Sequence, residues 1–155
     1  GIVSNRISGD LLIYEISNID NYKTVQRRED VRVSCSMDIY YTDNVVSLRM
    51  DKSVLYDKIE DLKEISENAI TTDLSAGGIK FSTKNSLDPY QEIIIIFYIN
   101  KEPIIVKGKV LHKMINIVKK STYYSYGVKF LDGTEIERET IIRYLFVLMR
   151  KNRIR

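Results

Sequence analysis

The chain has 155 residues, 44% of them hydrophobic and 29% charged, with a formal net charge of +3. That balance excludes a disordered tail and fits one globular domain, and so small a surplus of cations argues against general binding of long nucleic acid. A single cysteine, Cys35, excludes an internal disulfide and favours a reducing compartment, so the cytoplasm is the expected location.

The longest apolar run, residues 93–99, is far shorter than the roughly 20 residues needed to cross a bilayer. The chain opens on Gly1, not Met, and runs straight into strand-like sequence, so it reads as a piece cut from a longer protein. Residues 2–7 and 11–16 read as two short strands turned at Ser8, Gly9 and Asp10. Residues 18–28 are polar and aperiodic, a connector into the main domain.

From Val33 to Tyr41 apolar and polar residues alternate, the pattern of a half-buried strand, and Val46, Leu48 and Met50 continue it after a turn at Asp43 and Asn44. Leu55, Ile59, Leu62 and Ile65 then switch to helical spacing, which predicts a helical insertion over residues 53–68. Further strands are expected over residues 78–82, 92–99, 104–114 and 123–130. Strands this regular, joined by short turns, point to a barrel. A final helix starts at Thr134, with Glu137 three residues on in a capping-box arrangement and Ile141, Leu145 and Leu148 on one face.

Two clusters carry chemistry. In Gln26-Arg27-Arg28-Glu29-Asp30-Val31-Arg32 three guanidinium groups precede a strand. Arginine offers forked donors to phosphate oxygens and to the O6 and N7 acceptors of guanine, and its plane stacks on purines. Extended, the segment sets Arg28 and Arg32 on one side about 13 Å apart. The second cluster, Asp73-Leu74-Ser75-Ala76-Gly77-Gly78, combines a carboxylate for the paired N–H groups of guanine, a hydroxyl, and glycines that permit close approach of a ligand. Taken singly, the first cluster also fits a solvated linker and the second a capped turn.

Together the clusters resemble the PilZ family, whose signature is Arg-x-x-x-Arg followed by Asp/Asn-x-Ser-x-x-Gly at the mouth of a β-barrel. The late Tyr126-Gly127-Val128-Lys129-Phe130 segment and the last helix fall in family order. The resemblance implies a mainly β fold: a six-stranded antiparallel PilZ barrel over residues 25–155, with a C-terminal helix and a helical insertion before the second motif. It implies a non-catalytic receptor for cyclic di-GMP, held by Gln26, Arg27, Arg28, Arg32, Asp73, Ser75, Gly77 and Gly78, with no metal or other cofactor. Residues 1–24 resemble the tail of the upstream barrel in flagellar-brake-type proteins. Arg27 resembles the extra arginine of members that hold two stacked ligand molecules. The implied output is a change of interdomain or partner geometry that regulates motility or exopolysaccharide production. Its protein partner would be a flagellar motor or a polysaccharide synthase, with no nucleic acid and no membrane span.

Other candidates fit blander roles. His112 has no second histidine or cysteine nearby to share a metal. Cys35 falls on the inward face of its strand, where a thiol is inert. Glu60, Asp61, Glu64 and Glu67 sit among lysines at helical spacing, as a solvated face does. No nucleophile, base and orienting group can be assembled. The rival reading is a single-stranded nucleic-acid or protein-binding barrel, with Tyr40, Tyr41, Tyr123, Tyr124 and Tyr126 as a stacking platform.

Overall fold

Ile93, Ile94, Ile95, Ile96 and Phe97 follow one another in a single strand, and all five are fully buried. Successive strand residues point to opposite faces, so both faces of this strand must be covered. The structure, a computed structural model, describes residues 31–154, with side chains as far as Asn152. Its elements are β1 (Val33–Ser34), β2 (Asp38–Thr42), α1 (Val45–Leu48), α2 (Lys52–Asp57), α3 (Ile59–Glu64), β3 (Glu67–Ser75), β4 (Gly78–Thr83), β5 (Glu92–Ile99), β6 (Glu102–Val118), β7 (Ser121–Phe130) and α4 (Glu135–Ile154).

All pairings are antiparallel, and the order β3-β2-β5-β6-β7-β4 returns to β3, so six strands close into the expected barrel. The two residues of β1 pair with β3 on the edge away from β4, beyond the end of its pairing with β2. Inside the barrel Ile39, Tyr41, Phe81, Ile93, Ile95, Phe97, Tyr126 and Val128 form one core. Outside it, Ile94, Ile96 and Ile105 pack under Leu55 and Leu62 of α2 and α3. The helical insertion is therefore the lid on the outer face of β5, which explains why that strand is apolar throughout.

Four sequence-based expectations need correction. Residues 33–41 are not one strand: after Ser34 the chain detours, and Thr71 anchors the detour by donating from Oγ1 to the Cys35 carbonyl (2.8 Å) and accepting from the Met37 amide (2.9 Å). Val46 and Leu48 lie in α1, not in a strand, because the Asn44 side chain caps the helix by accepting from the Ser47 amide at 2.9 Å. The insertion runs from Lys52 to Glu64, not to residue 68, since Glu67 and Asn68 already pair with β2. The strand β3 replaces the one expected around residues 46–50, so the number of barrel strands is right and one member is different.

The long strand β6 extends to Val118, four residues beyond its expected end, and turns into β7 through Lys119 and Lys120 (φ 50° and 69°). Asn100 and Lys101 make a similar turn (φ 52° and 70°), the positive-φ pair of a type I′ hairpin.

The helix α4 begins as expected, with the Thr134 amide donating to Glu137 Oε1 (2.9 Å) and the Glu137 amide to Thr134 Oγ1 (3.2 Å). Its Ile141 and Leu145 are buried in the main core, with Leu148 against its edge. Glu137 is itself buried and accepts from Lys52 Nζ (2.6 Å) and Tyr56 Oη (2.5 Å), tying the insertion to the start of α4. Among the described residues no helix is long and apolar enough to cross a membrane. The expected hairpin and connector of residues 1–28, and with them Gln26, Arg27 and Arg28, lie outside the described residues.

Candidate functional site

The second motif is carried by the end of β3 and the start of β4. Up to Thr71 that strand alternates regularly, with Ala69 and Thr71 buried and Ile70 exposed. Continued unchanged, the alternation would turn Asp73 and Ser75 into the core and Leu74 out to water. A bulge intervenes: Thr71 pairs with Phe81 but Asp73 with Lys80, leaving Thr72 as the extra residue. The phase inverts: Leu74 is fully buried, Asp73 turns to the outer side and is half-buried, and Ser75 follows on that same side but is itself buried at 8% exposure.

Residues directly opposite across a sheet share a face. One row on the outside of the barrel therefore reads Ser34, Asp73, Lys80, Gly127, His112. The next reads Ser75, Gly78, Lys129, Lys109, ending at Glu92. Arg32 is exposed and stands one residue before β1, where the register that pairs Val33 with Leu74 and Ser34 with Asp73 continues to Ser75. Thus Arg32, Lys80 and Lys129 surround Asp73 and Ser75 with positive charge, a setting suited to an anion that also offers N–H donors. Of the eight sequence-predicted site residues, the structure brings together Arg32, Asp73, Ser75, Gly77 and Gly78.

The glycines are constrained by the sheet itself. A Cβ on Gly78 would lie 2.6 Å from the Val128 carbonyl oxygen, so the backbone of β7 already occupies the space. Gly127 lies beneath the His112 ring, which a Cβ would meet at 3.2 Å. Both positions are thus held to glycine by close packing within the sheet, backbone against Gly78 and an imidazole over Gly127. Ala76 and Gly77 form the two-residue hairpin turn, and the Gly77 carbonyl accepts from the Phe130 amide at 2.9 Å. Ser75 Oγ donates to the Gly78 carbonyl at 3.3 Å, which leaves its lone pairs to accept from a ligand.

Sequence reasoning missed Thr71, whose hydroxyl holds the detour that keeps β1, and so Arg32, beside the motif. It also missed Lys80 and Lys129, which only strand register brings to the motif. Cys35 is half-buried, and burial pushes its thiol up from the ordinary value, as an inert thiol requires. Glu60, Asp61, Glu64 and Glu67 are all exposed. The tyrosines do not form one platform: Tyr41 and Tyr126 are core residues whose rings pack tilted against Phe81, with centroids 5.2 and 5.7 Å away.

The family model of the PilZ domain matches residues 26–147. The chain belongs to the PilZ domain family. Its fold agrees with solved PilZ structures. The PilZ domain of YcgR from Escherichia coli, solved with c-di-GMP, superposes with a TM-score of 0.56 at 16% identity, over 83% of this chain and 95% of that one. The Bacillus subtilis inhibitor of motility MotI/DgrA gives 0.57 at 16% identity, over 83% of this chain and 52% of that one, so this chain spans about half its length. The c-di-GMP complex of MrkH from K. pneumonia gives 0.56 at 18% identity, over 84% of this chain and 57% of that one. No curated protein matches by sequence. At such identities the likeness to the solved structures is one of fold, and the ligand has to be argued from the PilZ motif's own residues.

Proposed function

We propose that this chain is a non-catalytic receptor for cyclic di-GMP, bound on the outer face of the barrel across the Asp73–Lys80 and Ser75–Lys129 rows. The observation that carries this reading is the bulged turn-out of Asp73 and Ser75 beside Arg32. Asp73 accepts from the N1 and N2 groups of a guanine, Ser75 and the backbone around Gly77 and Gly78 complete the edge, and Arg32 and Arg28 take phosphate oxygens and the second base. Lys80 and Lys129 add the field that draws in a dianion. Gln26 and Arg27 complete the arginine segment, and Arg27 provides for a second, stacked ligand molecule. Support comes from the family itself and from two solved relatives described as c-di-GMP complexes.

Wrapping of the arginine segment around the ligand turns binding energy into geometry, altering how the barrel meets its upstream module or a partner protein in the cytoplasm. A motility or exopolysaccharide machine is the output that fits, and residues 1–24 are the remnant of that upstream module. Such a switch works only if the ligand prefers one arrangement. Calorimetric titration tests the reading: the chain binds one or two molecules of cyclic di-GMP, and Arg28→Ala and Arg32→Ala each remove detectable binding. Undiminished affinity in both variants overturns it.

A further inference from the structure

The strand β6 outruns its neighbour. The last β5 partner is Glu92, opposite Lys109, and among the described residues the only further backbone bonds on that side join Val110 to Tyr90 and Gln91. From Leu111 to the tip, β6 is paired with β7 alone, and among the described residues no strand lies along its other edge. Every second residue of a strand aims its N–H and C=O away from the one partner it has, so this edge presents backbone groups with no strand partner among the described residues.

Natural edges are blunted by charge, proline or a bulge. The bulge here falls between Val110 and His112, ahead of the free stretch, and the five residues Met114, Ile115, Asn116, Ile117 and Val118 contain neither charge nor proline. Four of them are large, apolar and more than half exposed, Ile117 the most at 73%.

The stretch also reads nearly the same in both directions: Lys113-Met114-Ile115-Asn116-Ile117-Val118-Lys119. Antiparallel pairing of this edge with itself, about a twofold axis at Asn116, sets Met114 against Val118, Ile115 against Ile117 and Asn116 against Asn116. Apolar residues then meet apolar residues on both faces. A slip of one residue sets Asn116 against isoleucine and Lys113 against Val118, so one register is favoured. The like charges meet only at the margins, where Lys113 already donates to Ser86 Oγ (2.8 Å) and lies over the Tyr124 ring, and Lys119 has left the strand for the turn.

We infer that the edge of β6 over residues 113–119 is a homodimer interface, occupied by the same segment of a second copy in antiparallel register about Asn116. It is isologous, as a twofold requires. It is independent of the proposed ligand, whose rows cross β6 at Lys109 and His112. The flanking lysines repel across the axis, so added salt strengthens the association.

Sedimentation over a range of concentrations, with and without added salt, should show a monomer–dimer equilibrium for the chain and a monomer for Ile117→Lys, a change at an exposed position that leaves thermal unfolding unchanged at dilutions where the native chain is itself monomeric. In a Cys35→Ser background, Asn116→Cys should form a disulfide-linked dimer on mild oxidation. Facing strand residues lie about 4.5–5.5 Å apart, within disulfide reach. Lys113→Cys should not, because its own copy lies about 20 Å away along the pair. A chain that stays monomeric at millimolar concentration, a dimer that survives Ile117→Lys, or equal cross-linking at both positions overturns the inference.

Discussion

Asp73 stands directly opposite Lys80, and it shares the outer face that Lys80 takes in the alternation of β4 only because Thr72 is inserted as a bulge between Thr71 and Asp73. Next to them in the two outer rows stand Gly127, under the His112 ring, and Gly78, against the Val128 carbonyl. The local irregularity of β3 is thus what converts a core strand into the wall of the proposed binding face.

If that face binds a dianion, its charges act on affinity and not on the fold. Asp73→Ala should lower cyclic di-GMP affinity at least tenfold, about 1.4 kcal/mol. Lys129→Glu should weaken it by a similar factor, more at low salt than at high. Both variants should unfold at the wild-type temperature, and calorimetry with thermal melts decides. A large loss of stability with intact affinity would reverse the assignment.

Gly78 is constrained from within. Gly78→Ala drives a methyl into the Val128 carbonyl, 2.6 Å away, and should destabilise the barrel by about 1–3 kcal/mol. A urea midpoint lowered in the absence of any ligand checks this. An unchanged midpoint would mean that β7 yields freely.

The insertion is a structural cover. Leu55, on the inner side of α2, is 1% exposed, and Leu55→Ala should cost about 3 kcal/mol. The same truncation at exposed Val46 should cost less than about 0.5 kcal/mol. Chemical denaturation of the two variants compares them directly.

Burial, together with the neighbouring Glu137 carboxylate, pushes the Tyr56 phenol well above its ordinary value of 10.0, and burial moves Tyr126 and Tyr144 the same way. A raised value means that the folded state keeps protons the unfolded chain has released. The contribution is therefore complete below pH 10.0 and is lost as pH climbs beyond it. Urea midpoints should fall between about pH 8 and about pH 10.5, and Tyr56→Phe, less stable at the lower pH, should show the smaller fall. Identical slopes would remove Tyr56 from this account.

Much of this was legible in the residues. The unbroken apolar run of β5, the alternation of β7 and the Thr134–Glu137 capping box each follow from local patterning, and both motifs stand out by residue type. What was hidden depends on contacts distant in sequence. The strand β3 lacks a clear period because its inward residues include Ala69 and Thr71 and its bulge reverses phase at Thr72. The helix α1 imitates a strand in its apolar spacing, and only the Asn44 cap declares otherwise. Lys80 and Lys129 join the site through register alone, which no linear motif records.

Amide chemical-shift mapping during titration with cyclic di-GMP tests the location of the site most directly. The account predicts the largest changes at Ser34, Asp73, Ser75, Gly78, Lys80 and Lys129, with residues beneath α2 and α3 unmoved. Changes concentrated on the helical cover, or none at saturating ligand, would contradict it.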